Sequence, residues 1–361
     1  MVEWKEIGEI CKPITPPKKV PTKDYLNSGQ FPVIDQGQNM VIAFTNDAST
    51  LVPNDEYVLF GDHTRYVKYF NGSFAQGADG LKILKVKSGM IPRYFYFAFQ
   101  NTEVPTRGYS RHWSIAKALQ IPIPSLEEQK RIVGILDTFT DSIENLKQQI
   151  AQRRKQYEHY RDQLLDLEGK EGVEMKTLGD FCDTLSGFPF DSSKFKDEGI
   201  QLMRGANIKR GYFDFSQDLN KYWESSEGLE KYLLKANDII ISMDGSLVGK
   251  SFCYLKKEHL PLLLVQRVAR IRTKENFKFL YYVITKEFPF YVEKKKTAGA
   301  IPHISMKDIN SFPVPLPSKI EQQRIVSILD TFEASISNLE AQLAQRQKQY
   351  EYYRNQLLTF E

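Results

Sequence analysis

The most suggestive run of reactive residues in this 361-residue chain is DGSLVGKS, Asp244–Ser251. A phosphate-cradling loop has the form G-x-x-x-x-G-K-[ST] and opens a helix whose N-terminus faces the phosphates. Here Asp244 holds the place of the first glycine and puts negative charge where a phosphate would sit. The SFCYLKK that follows reads as a strand, so a β-hairpin is expected. Glu293-Lys294-Lys295 supplies half of a nuclease E-x-K signature, but no pattern positions a partner aspartate, which leaves a charge run on a helix end or loop. His112 and His303 sit in matching G-x3-H-x-S settings. No nucleophile or carboxylate recurs with them, so a structural or contact role is favoured over catalysis. The only Pro-Pro pair is Pro16-Pro17 in TPPKK, so the [DN]-P-P-[FY] loop of amino-methyltransferases is missing, as is any glycine-rich cofactor loop. Cys11, Cys182 and Cys253 form no CxxC pair, and the five histidines are scattered, so no metal site is expected. The chain by itself reads as non-catalytic and without a cofactor of its own.

What remains is contact chemistry. The first half carries GDHTRYVK (Gly61–Lys68), QGADG (Gln76–Gly80) and TRGYSRHW (Thr106–Trp113). The second carries MRGANIKR (Met203–Arg210), GSLVGKS (Gly245–Ser251) and EKKKTAGAIPH (Glu293–His303). Arg and Lys neutralise phosphates, Arg, Asn, Gln and His read base edges, and glycines let a backbone come close. The candidate DNA contacts are His63, Arg65, Gln76, Arg107, Tyr109 and Arg111 in the first half. In the second they are Arg204, Asn207, Lys209, Ser246, Lys250, Lys295 and Lys296. Each loop taken singly also reads as a solvated turn; their recurrence in both halves favours the set.

The elements that must hold these loops are short. EYVLF, RYVKYF and LKILKV in the first half, and NDIIISM and SFCYL in the second, are β-branched and aromatic runs punctuated by glycine, hence strands and hairpins. IPRYFYFAFQ and FKFLYYVITK read as helices. The length exceeds one ordinary core and suggests two domains or more. Hydrophobic content of 41% with 12% aromatics is that of a folded, soluble protein. No run of about 18 apolar residues appears, and MVEWKEIGEICK lacks the apolar core of a secretory signal, so the cytoplasm is the default expectation. A net charge of +4 tolerates nucleic acid without demanding it.

The chain also repeats itself. Glu128–Glu168 aligns without gaps on Glu321–Glu361 with about two-thirds of positions identical, and IPIPS (Ile121–Ser125) pairs with VPLPS (Val314–Ser318). Looser echoes are EWKEIGEIC against EMKTLGDFC, and Gly108, His112 and Ser114 against Gly299, His303 and Ser305. The unit repeated is a variable domain followed by a shared tail. In the tail, Ile132, Leu136, Phe139, Ile143, Leu146, Ile150, Tyr157, Tyr160 and Leu164 alternate steps of four and three, the heptad seam of a coiled coil. The second copy repeats it from Ile325 to Leu357. Some 40 residues at about 1.5 Å each make a rod roughly 60 Å long. Prolines before each helix and GKEG (Gly169–Gly172) after the first bound them. Antiparallel pairing within the chain is expected, giving a pseudo-twofold, with packing of each helix on its own domain or on a partner's helix as the alternatives; Arg153 and Arg346 then snorkel out of the seam. Identity extends to the outer faces, where Arg131, Asp137, Asn145 and Lys155 recur as Arg324, Asp330, Asn338 and Lys348. Docking of the same partner on both faces explains this; recent duplication of the segment is the alternative.

Two variable domains, each followed by a helix beginning P-x-P-S…EQ-x-RI, resemble the specificity subunits of type I restriction-modification systems over essentially the whole chain. LFGDHTRYVKYF with GADG, and MRGANIKRGYF with DIIISMDGSLVGK, are similar to two recurrent kinds of target-recognition domain. The resemblance implies an α/β (α+β) fold with recognition domains at 1–125 and 169–318 and coiled-coil helices at 126–168 and 319–361. It implies that each domain reads one half of a split duplex site and that the helices set the unread gap and bind two methyltransferase subunits. Motor-nuclease subunits then join for restriction. Adenine N6 methylation with S-adenosylmethionine, and the ATP and Mg of restriction, belong to those partners.

Overall fold

The computed structural model describes residues 2–77, 80–106, 108, 110–295 and 302–360. These fall into unit 1, Met1–Ile150 with Asn338–Glu361, and unit 2, Ala151–Ser337. In unit 1 the order is β1 (Glu3–Glu6), α1 (Ile7–Ile10), β2 (Cys11–Ile14), β3 (Phe31–Ile34), β4 (Ala43–Thr45), β5 (Asp55–Gly61), β6 (Val67–Gly72), β7 (Ala75–Gln76) and β8 (Leu81–Val86). Then come α2 (Pro92–Gln100), α3 (Trp113–Ala116), β9 (Gln120–Ile123) and the long helix α4 (Leu126–Leu164). EYVLF lies in β5, which is buried along most of its length as one of the two inner strands of the sheet β2-β8-β5-β6. A smaller sheet has the order β4-β3-β7, and β1 pairs with β9 to lead into α4.

Unit 2 repeats this strand for strand. It runs β10 (Glu174–Thr177), α5 (Leu178–Phe181), β11 (Cys182–Ser186), β12 (Ile200–Met203), β13 (Tyr222–Trp223), β14 (Ile239–Ser242), β15 (Phe252–Tyr254), β16 (Leu262–Leu264) and β17 (Val268–Thr273). After these come α6 (Phe277–Lys295), α7 (Met306–Asn310), β18 (Pro313–Leu316) and α8 (Lys319–Leu358). Its sheets, β11-β17-β14-β15, β13-β12-β16 and β10-β18, have the orders of unit 1 with every strand number raised by nine. The repetition therefore extends through domains whose sequences have diverged. The DGSLVGKS run is the turn between antiparallel β14 and β15, a hairpin, and the Gly249 backbone lies where a Cβ would come within 2.7 Å of Val292.

Both long helices contribute to both units, and each unit holds an antiparallel pair. In unit 1 Phe139 stacks on Tyr353 and Ile132, Leu136, Leu357 and Leu358 join one core. In unit 2 Tyr160 stacks on Phe332, and Ile325, Val326, Leu329 and Leu164 join another. The seam arginines do not snorkel away: Arg153 lies over the Phe332 ring at 5.8 Å and Arg346 over Phe139 at 5.6 Å. An aromatic face on the facing helix holds a guanidinium better than bare solvent does. Nor does GKEG end α4. The helix stops at Leu164, because Leu165 and Leu167 turn inward and are buried in the unit 2 core. Among the described residues no helix is long and apolar enough to cross a membrane.

Candidate nucleic-acid interface

In unit 1 the loops after β3 and β5 are built as one piece. Gly61 starts the second: a Cβ there would lie 2.1 Å from Thr64 Oγ1. Thr64 Oγ1 donates to the Gln36 carbonyl, and the His63 amide donates to Gln36 Oε1 at 3.0 Å. Lys68 points inward from β6 and donates to the carbonyls of Asp35 and Asn39. Burial lowers the Lys68 pKa from its ordinary value and Asp35 opposes the shift. Arg65 is exposed at the loop tip in a left-handed conformation (φ +64°), steadied by an Nη1 bond of 2.9 Å to the Val104 carbonyl. Arg111, with Lys19 and Lys82, lines a separate hollow floored by Asp62. Gln76 is a correction: it is 3% exposed and its Nε2 donates to the Leu81 carbonyl, so it holds the fold and cannot reach a base. Arg107 and Tyr109 lie outside the described residues.

In unit 2, Arg204 and Lys209 share the β12–β13 connection, and Ser246 and Lys250 share the β14–β15 turn, both exposed. Arg204 is half-buried, with its guanidinium 5.7 Å from the Phe195 ring, and Lys209 pairs with Asp214 at 3.9 Å. Asn207 is the second correction. It is 0% exposed, accepts from the Arg204 amide and donates to the Asp214 carbonyl, a pin that shapes the loop from inside. Lys250 lines a hollow with Arg210, Arg161 and Lys286. Lys295 is exposed at the last turn of α6, beside Tyr291; Lys296 lies outside the described residues.

The paired histidines do not occupy equivalent places. The His112 amide donates to the Asp62 carbonyl at 2.8 Å, and the amide in that role in unit 2 belongs to Ile304, bonded to Met243 at 2.9 Å. His112 is buried, with Nδ1 3.0 Å from the same Asp62 carbonyl. His303 is exposed and forms a bridge with Asp244. The sequence echo is one residue out of structural register.

The P-x-P-S…EQ-x-RI segment has a complete local explanation. Ser125 and Ser318 accept the amides of Glu128 and Glu321 at the helix starts. Glu128 and Glu321 pair with Arg131 and Arg324 one turn on. Gln129 is buried, donating to the Pro124 carbonyl and accepting the Ile91 amide; Gln322 does the same with Pro317 and Asn276. The repeated EQ-x-RI motif contains both glutamines, but residue type alone does not reveal that they are buried and bonded to the main chain. Asp137 and Asp330 are half-buried and face their own domains. Asp137 binds Arg93 on α2 at 2.7 Å. Asp330 binds Lys278 at 2.6 Å and accepts from the Tyr282 hydroxyl at 2.7 Å. Burial and this carboxylate push the Tyr282 phenol above its ordinary range, so it stays a donor. Their recurrence therefore has an internal cause, so at these two positions neither docking of a shared partner nor recent duplication is needed to explain it. Arg131, Asn145, Lys155, Arg324, Asn338 and Lys348 remain exposed.

A sequence profile described as "Type I restriction modification DNA specificity domain" matches residues 1–153 and 170–347. The chain is 31% identical to the EcoR124I/EcoR124II specificity subunit of Escherichia coli, over 99% of this chain and 94% of that one. It is 26% identical to the MjaVIII specificity subunit of Methanocaldococcus jannaschii, over 99% and 92%. The fold matches the crystal structure of a type I S subunit from M. genitalium with a TM-score of 0.67 at 15% identity, covering 100% and 97% of the two chains. A repeated nine-strand domain, loops of differing chemistry on one scaffold, and paired helices opened by the same buried glutamine agree with these matches: the chain belongs to the DNA specificity subunits of type I restriction-modification systems.

Proposed function

We propose that residues 1–125 and 169–318 each read one half of a split duplex DNA target, and that the helical segments 126–168 and 319–361 set the unread gap and dock two methyltransferase subunits. The observation that carries this is one scaffold used twice with unlike loops: β12–β13 and β14–β15 carry Arg204, Lys209, Ser246 and Lys250 where the first copy carries the Gln36–Asn39 segment and Arg65. A repeated frame with divergent tips suits two readings of different sequence, since base edges are read by side chains while phosphates only position. Arg131, Asn145, Lys155 and their counterparts Arg324, Asn338 and Lys348 offer the partner the same polar face twice. Transfer of a methyl group to adenine N6 from S-adenosylmethionine is the partner's chemistry, with the adenine turned out of the duplex to be reached. Motor-nuclease subunits, with ATP and Mg, add restriction. The test is native mass spectrometry of the chain co-expressed with its host's type I methyltransferase, followed by duplex binding of the product. A complex of one chain with two methyltransferases that binds duplex DNA is expected; a one-to-one complex would remove the twofold docking.

A further inference from the structure

Each unit has a left-handed residue just before the strand that lies beside its buried inner strand. In unit 1 it is Gly80 (φ +95°), before β8; in unit 2 it is Arg267 (φ +63°), before β17. Their hydrogen bonds make them equivalent: the Asp62 amide donates to the Gly80 carbonyl at 2.6 Å and the Met243 amide to the Arg267 carbonyl at 2.9 Å. Glycine takes this conformation without steric cost, whereas a side chain with a Cβ resists it. Such strain persists only where the surroundings over-determine it, and it gathers at positions that meet ligands. Here the turn is held by the Val268 amide on the Val265 carbonyl and the Gln266 amide on the Phe188 carbonyl.

The strain places a guanidinium. The Arg267 side chain is 70% exposed, and its Nη1 donates to Asp244 Oδ2 at 3.1 Å. Asp244 is itself fixed, because the neighbouring Gly245 amide donates to the Pro302 carbonyl at 3.1 Å. The pair stands at the rim of a hollow of about 550 Å³ lined by Met243, Ile304 and Met306. The guanidinium end of this pair is open to solvent, so the pair adds little to folding; unit 1 has glycine at the equivalent turn, and the arginine near it, Arg111, comes instead from the segment before α3.

We infer that Arg267 and Asp244 together read one G·C base pair in the half-site met by unit 2. An arginine forks onto O6 and N7 of guanine while a carboxylate accepts from the cytosine N4 amine, so a juxtaposed Arg and Asp matches both edges of one pair in the major groove. The inference rests on the DNA-recognition reading above and adds a residue and a base to it.

The experiment compares methylation motifs, and duplex binding, of methyltransferase complexes assembled with the wild-type chain, with Arg267→Gly and with Asp244→Asn. Arg267→Gly relieves the backbone, so its melting temperature should equal or exceed that of the wild type. Its affinity for the wild-type duplex should fall about 10- to 100-fold, with all four base pairs accepted at one G·C position and the other half-site unchanged. Asp244→Asn should relax the same position more weakly. A folded Arg267→Gly complex that keeps the wild-type motif and affinity would overturn the inference and leave the recognition reading standing. A melting temperature clearly below wild type would assign Arg267 to the fold and overturn it too. A wild-type complex that marks no split motif would instead sink the recognition reading beneath it.

Discussion

Units 1 and 2 differ most where their strands end and least where their helices begin. At the helix starts, Gln129 and Gln322, and Glu128 and Glu321, make the same bonds in both, and Asp137 and Asp330 each pair with a cation of the helix docked beside them. At the loops, Gly80 faces Arg267 as its equivalent, and the buried Lys68 of β6 has Cys253 at the matching rung of β15. In unit 1 a buried cation holds the β3–β4 segment; in unit 2 the buried Asn207 shapes the corresponding connection. The comparison teaches that identity between the copies tracks the joint between domain and helix, whereas divergence tracks the surfaces free to meet different sequences.

The comparison breaks first if the two joints are not energetically alike. Leu136 and Leu329 are fully buried at matching helix positions, so Leu136→Ala and Leu329→Ala should each destabilise by about 2–5 kcal/mol in denaturant titrations. A large difference between the two would show that the copies are not equivalent. A smaller asymmetry is expected next. Asp330→Ala strips an acceptor from both Lys278 and the buried Tyr282, a loss of about 1–3 kcal/mol. Asp137→Ala should cost less, about 1 kcal/mol, because Arg93 still rests on the Tyr69 and Phe97 rings.

Lys68 gives a pH signature confined to unit 1. Its folded pKa is lowered below 10.5 by burial, so the unfolded chain binds more protons over the window between the lowered value and 10.5. Stability should therefore rise with pH across that alkaline window, and Lys68→Met should flatten this slope in thermal melts recorded at increasing pH. The smallest change in stability belongs to the exposed pairs. Arg131→Ala with Lys155→Ala, or Arg324→Ala with Lys348→Ala, should cost under about 1 kcal/mol yet release one methyltransferase in pull-downs. Retention of both partners would withdraw these faces from docking.

Much of this was legible in the sequence. Strands in EYVLF and LKILKV, the helical seam from Ile132 to Leu164, and the hairpin nature of DGSLVGKS follow from periodicity and from residue types. What was not legible depended on burial at single positions. Asn207 and Gln76 have base-reading chemistry, but both are turned inward and bonded to the main chain. Asp137 and Asp330 lie on helix positions that a heptad count assigns to solvent, and only the docking of α2 and α6 reveals their partners. The His112 and His303 echo was offset by one residue because backbone pairing, not spacing, defines equivalence. Arg267 carried no signal at all, since a positive φ at a non-glycine residue cannot be read from residue type.

The most direct test of two unlike readers on one repeated frame is base-modification sequencing of the host genome with and without this gene. The account predicts loss of methyl-adenine at one motif split by a fixed unread gap, with different sequences in its two halves. An unchanged methylation pattern, from a chain that is expressed and bound to its methyltransferase, would contradict it.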